Sequence, residues 1–109
     1  MEVRLTRDAD RLIAMIYKKY LERRKAGALR EAAKCFGSSR QLRDDLALSM
    51  PLEDVDSLCF ELHDFGYLSV LPADGSIYRI MLTNPGIADL ENRFKDGLSA
   101  VIDFLSKFL

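Results

Sequence analysis

Residues 51–68 read Pro51-Leu52-Glu53-Asp54-Val55-Asp56-Ser57-Leu58-Cys59-Phe60-Glu61-Leu62-His63-Asp64-Phe65-Gly66-Tyr67-Leu68. Val55, Leu58, Cys59, Leu62 and Phe65 recur at three- and four-residue spacing, which sets them on one side of a helix and turns that side to a core. The other side then carries Glu53, Ser57, Phe60, Glu61 and Asp64, and residues 51–65 contain neither Lys nor Arg. Acid near the start also suits the positive end of the helix dipole. The pattern is a helix of about 51–65 with a carboxylate-rich outer face and one outward aromatic.

Upstream, Ser38-Ser39-Arg40-Gln41 has the spacing of a capping box, in which the Ser hydroxyl and the Gln amide satisfy each other's orphan backbone amides. It opens a helix over about 39–48 that buries Leu42 and Leu46, and Ser49-Met50-Pro51 closes it, because the residue before proline is pushed away from helical angles. Two short helices joined so tightly form a helix-turn-helix unit. Before it, Ala9, Leu12, Ile13, Ile16, Tyr17 and Tyr20 predict a helix over about 8–25. Leu29, Ala32, Ala33 and Phe36 predict another over about 28–36, ended by Gly37 in the left-handed conformation.

Downstream, residues 67–82 are rich in β-formers around Pro72-Ala73-Asp74-Gly75 and predict a two-stranded hairpin. Ile87, Leu90, Phe94, Leu98, Val101, Ile102, Leu105 and Phe108 predict one long helix over about 86–109, with Gly97 its weak point. Its broad apolar stripe suits pairing with a second copy, so Phe94, Leu98, Val101, Leu105 and Phe108 are the expected dimer residues of a homodimer. The fold class expected is α+β, mainly α.

Phe65-Gly66-Tyr67-Leu68, then Tyr78-Arg79-Ile80-Met81-Leu82-Thr83, then Pro85-Gly86-Ile87 leading a helix, resembles the end of winged helix-turn-helix domains of the MarR and PadR kind. The stretch Leu82-Thr83 to Gly86-Ile87 to Leu90-Glu91-Asn92-Arg93-Phe94 looks more closely like small YjcQ-like proteins of Firmicutes and mobile elements. The likeness covers residues 39–109. It implies a homodimer that binds duplex DNA, with the second helix of the unit in the major groove and the hairpin, the wing, on a phosphate. This chain departs from that pattern, since five carboxylates would face a polyanion, Asp74 sits at the wing tip, and the wing adds only Arg79.

The net charge of -1 conceals two opposed halves. Residues 1–45 hold 12 Lys and Arg against 7 Asp and Glu, while residues 46–109 hold 4 against 10, so any phosphate-binding surface must come largely from the first half. Candidate phosphate contacts are Lys34, Arg40, Arg43 and Arg79. Hydrophobic residues at 49% and charged residues at 30% over 109 positions describe one folded domain and exclude a disordered tail. Two cysteines with no CxxC pair, no signal-like apolar start and no membrane-length apolar run lead to the expectation of a cytoplasmic protein without membrane association.

Chemical motifs are sparse. Asp56, Cys59 and His63 have a spacing that could face one metal, but Cys59 belongs to the core stripe, so no metal or cofactor is expected. There is no phosphate-binding loop, nucleophile elbow or HExxH, and the expectation is a protein that is not an enzyme. The expected role is a regulatory or adaptor module that contacts a partner protein through Glu53, Ser57, Phe60, Glu61 and Asp64. The alternative is a DNA-binding transcriptional regulator that uses the basic N-terminal half.

Overall fold

A computed structural model of the protein describes residues 4–109. Among these the chain forms α1 (Arg7–Lys25), α2 (Arg30–Ala33), β1 (Cys35–Gly37), α3 (Ser39–Asp45), α4 (Leu52–Asp64), β2 (Leu68–Ala73), β3 (Ser76–Leu82), α5 (Asn84–Arg93) and α6 (Leu98–Ser106). It is an α+β fold, mainly helical, with one small antiparallel sheet in the order β1-β3-β2. No helix of the described residues is long and apolar enough to cross a membrane.

Local chemistry accounts for most of the starts and stops. The Thr6 side chain caps α1 by accepting from the Ala9 amide, with Asp8 and Asp10 in the first turn and Arg23, Arg24 and Lys25 in the last, as the dipole favours. The capping box at α3 forms as expected, with the Ser38 hydroxyl accepting from the Gln41 amide and the Gln41 side chain accepting from the Ser38 amide. Asp74 and Gly75 both have positive φ, 47° and 82°, the pairing a two-residue hairpin turn needs to match strand twist. Thr83 caps α5, and Gly86 lies so close to Tyr67 that an added Cβ would sit 2.8 Å from the Tyr67 carbonyl oxygen.

α1 supplies the centre of the core. Leu12, Ile13, Ile16 and Tyr17 are buried with Leu42 of α3, Val55 and Leu62 of α4, Ile80 and Leu82 of β3, Leu90 of α5 and Val101 of α6. α1 packs on both α4 and α6, and α4 lies against the β2–β3 hairpin.

Several expectations need correction. The helix expected over 28–36 shrinks to Arg30–Ala33, and Cys35–Gly37 is instead a third strand, so the sheet is not two-stranded. Cys35 pairs with Met81 and Gly37 with Ile80, and the Leu82 amide donates to the Lys34 carbonyl, so partner-strand hydrogen bonds override a helical periodicity that Leu29 and Ala32, both exposed, never used. The helix expected over 39–48 ends at Asp45, where Ala47 turns to φ 52°.

The long helix expected over 86–109 is two helices, because Gly97 adopts φ 69° and ψ −134°, a conformation open to glycine and costly for other residues. The break lets Phe94 and Val101 both face the chain's own core. Phe65, expected to point inward, is 38% exposed at the C-cap of α4.

Candidate interaction face on the fourth helix

Glu53, Ser57, Phe60 and Asp64 follow one another by four, three and four residues, and all four are exposed on one stripe of α4, with Asp54 beside them. Val55, Cys59 and Leu62 are fully buried on the opposite side and fix the helix rotation. Phe60 is 40% exposed, a large ring held among carboxylates. The ion pairs formed among the described residues, Lys18–Glu22, Arg23–Asp45, Lys34–Glu31 and Arg93–Asp10, take none of the carboxylates of this face. Among the described residues, no ion pair therefore compensates the charge of this face.

Glu61 differs from its neighbours. It is half-buried, and its two oxygens accept from the Thr6 amide and hydroxyl, so it holds the start of α1 in place of presenting itself outward. Asp56 is also engaged: the Ser76 hydroxyl donates to it at 3.1 Å, and the buried Ser39 hydroxyl lies 3.0 Å from Ser76. This relay fastens the start of α3, the turn end of the hairpin and α4 to one another. Beside it Asp56, Phe60, Pro72, Ala73, Asp74, Gly75 and Ser76 line an open depression of about 400 Å³. Sequence reasoning missed this depression, because only folding sets residues 72–76 beside Phe60.

The basic residues are distributed less favourably for phosphate than the sequence suggested. Lys34 is only 6% exposed, and its ammonium donates to the Asn84 side chain at 2.9 Å and to Glu31, so it is not a surface phosphate contact. A buried ammonium needs such partners, and folding places Asn84 there. Arg23 donates to the Cys35 carbonyl and pairs with Asp45, Arg24 donates to the Ala28 carbonyl, and Arg30 to the Asn84 side chain. Arg40 and Arg79 are exposed and Arg43 half-buried, and they stand on two different elements, α3 and β3.

Asp56, Cys59 and His63 are not brought together. Burial, with Asp56 adding to it, pushes the Cys59 thiol up to about 12, while a His63 ring nitrogen lies 3.1 Å from the Leu68 carbonyl oxygen. No group of three or more His, Cys, Asp or Glu that could hold a metal occurs among the described residues.

The expected dimer residues also divide. Phe94 and Val101 are buried within the chain, whereas Leu98, Leu105 and Phe108 are half-buried; Ile102, outside that set, is the exposed apolar residue between them. A polar cluster not anticipated from sequence joins α1, the start of the hairpin and α5, with Arg93 donating two hydrogen bonds to Asp10 and the Tyr67 hydroxyl donating to Asp89.

Family models, curated proteins and solved structures were all compared with the chain, and none matches it.

Proposed function

We propose that the protein is a winged-helix module without enzymatic activity, a regulator or adaptor that meets a partner protein through the outer face of α4. The sheet order β1-β3-β2, with β1 between α2 and α3 and the β2–β3 hairpin after α4, supports the winged-helix reading. Fold does not dictate function, so the surface chemistry of α4 and not the scaffold has to carry the reading.

One observation carries the functional reading. Glu53, Asp54 and Asp64 are exposed and outside every ion pair of the described residues, on the helix that would have to enter a groove lined by phosphates. Bringing them there costs Coulomb energy, and the cations left exposed on α3 and β3 are too few to compensate. A homodimer through the exposed part of α6 belongs to the same proposal, with Ile102 as its central contact.

Duplex DNA titrated at two salt concentrations tests the choice. The expected result is no measurable binding at either. Binding that weakens steeply as salt rises would reverse the reading and make Arg40, Arg43 and Arg79 its phosphate contacts.

A further inference from the structure

Among the described residues five arginine–phenylalanine contacts follow one habit: a guanidinium lies over a ring. Arg23 covers Phe36 at 4.4 Å, Arg93 covers Phe94 and Phe104, and Arg7 and Arg11 approach Phe108. Four of the six phenylalanines are occupied in this way. Among the described residues Phe60 and Phe65 are the exposed rings without a guanidinium upon them, and of the two Phe60 lines the depression beside the hairpin turn.

The rest of that depression is chemically specific. Pro72 and Ala73 are apolar and exposed, while Asp56 and Asp74 supply negative charge. A flat cation with an apolar stem matches all of this: its plane stacks on the ring, its edge donates to carboxylates, and its methylenes lie along proline. An ammonium fits worse, because it is compact, strongly hydrated and cannot stack. A phosphate is repelled, and a bare metal ion would gain nothing from Phe60 and Pro72.

We propose that the depression between α4 and the hairpin turn receives an arginine side chain from an extended segment of a partner protein, with Phe60 beneath the guanidinium and Asp56 and Asp74 beside it. The inference rests on the protein-contact reading above and names the chemistry that the partner must present. The Ser39–Ser76–Asp56 relay gives the depression a fixed floor, since it holds the turn end of the hairpin against α4.

The test uses the full chain and two labelled peptides, one of arginines spaced by glycine and serine, the other with every arginine replaced by lysine. The arginine peptide should bind about ten-fold more tightly, as a stacked guanidinium allows. Its amide shift changes should centre on residues 56, 60 and 72–76. Phe60→Ala should bring the two peptides to equal affinity, and Phe60→Leu serves the same purpose should the alanine variant lose its folded circular dichroism spectrum.

Equal binding of both peptides to the native chain, with shifts spread over Glu53 and Asp64, overturns the arginine site and leaves the acidic contact face standing. The same shifts produced merely by concentrating the protein would replace the partner with a second copy and overturn it too. Binding of neither peptide also ends it, and if duplex DNA binds instead, the protein-contact reading falls as well.

Discussion

Glu61 accepts two hydrogen bonds from Thr6, one from the backbone amide at 2.7 Å and one from the hydroxyl at 2.8 Å. Because Thr6 is also the N-cap of α1, one carboxylate of α4 is committed to the start of a core helix 55 residues away in sequence. The acidic face is thus smaller than the sequence suggests, and Glu61 should behave differently from Glu53 and Asp64. Glu61→Ala should cost about 1 kcal/mol, the scale of an exposed charge-assisted cap, and lower the melting temperature by a few degrees. Glu53→Ala and Asp64→Ala should stay within about 0.5 kcal/mol of the native chain in the same thermal scan.

Lys34 and Asn84 test the corrected reading of the basic half. Removing the Asn84 acceptor leaves a buried ammonium with Glu31 as its remaining side-chain partner, so Asn84→Ala should destabilise by about 1–3 kcal/mol in urea unfolding. Arg40→Ala, at an exposed position, should change stability by less than about 0.5 kcal/mol.

The break between α5 and α6 has its own prediction. Gly97→Ala meets no atom within 4 Å but forces a side chain into a backbone conformation suited to glycine, at a cost of about 1–3 kcal/mol. Gly86→Ala should also destabilise, through a different cause: contact with the Tyr67 backbone, which cannot rotate aside. Amide shifts tell the two apart, since the Gly97 variant should alter residues 94–98 and the Gly86 variant those around Tyr67.

Phe94 and Ile102 separate core from contact. Phe94→Ala should cost about 3–5 kcal/mol, as for a buried aromatic ring in a packed core. Ile102→Glu should leave the melting temperature of dilute protein unchanged and shift sedimentation from dimer to monomer. A monomer mass for the unaltered chain at high concentration removes the α6 dimer.

Cys59 gives a pH prediction. Its thiol titrates near 12 in the folded chain, so the folded state holds the proton more tightly than an unfolded thiol, which titrates at about 8.5. The stabilisation is complete below the unfolded value and fades as pH rises through the folded one. Alkaline unfolding should therefore be less steep in Cys59→Val than in the native chain over the range between those values. At neutral pH iodoacetamide should label exposed Cys35 and spare Cys59 until denaturant is added.

The helices that announce themselves in sequence are those whose ends carry their own chemistry. The Ser38–Gln41 box before α3 and the Asp74-Gly75 turn act over a few residues, and the apolar spacing of α1 and α4 is independent of distant partners. The acidic outer stripe of α4 was legible for the same reason. β1 was not, because three residues ending in glycine acquire strand geometry only from β3, more than 40 positions later. Lys34 read as a surface cation and Glu61 as a free carboxylate for a similar reason, since Asn84 and Thr6 are distant in sequence.

What the sequence by itself determined is the helical scaffold, the hairpin and the sign of the charge on α4, since all three follow from periodicity and capping within a few residues. Only the tertiary structure decided which charges remain available, where the last helix divides, and that Phe60 stands beside Pro72 and Asp74. Long-range contacts depend on how buried surfaces meet, and no local spacing rule encodes which side chains such contacts will consume.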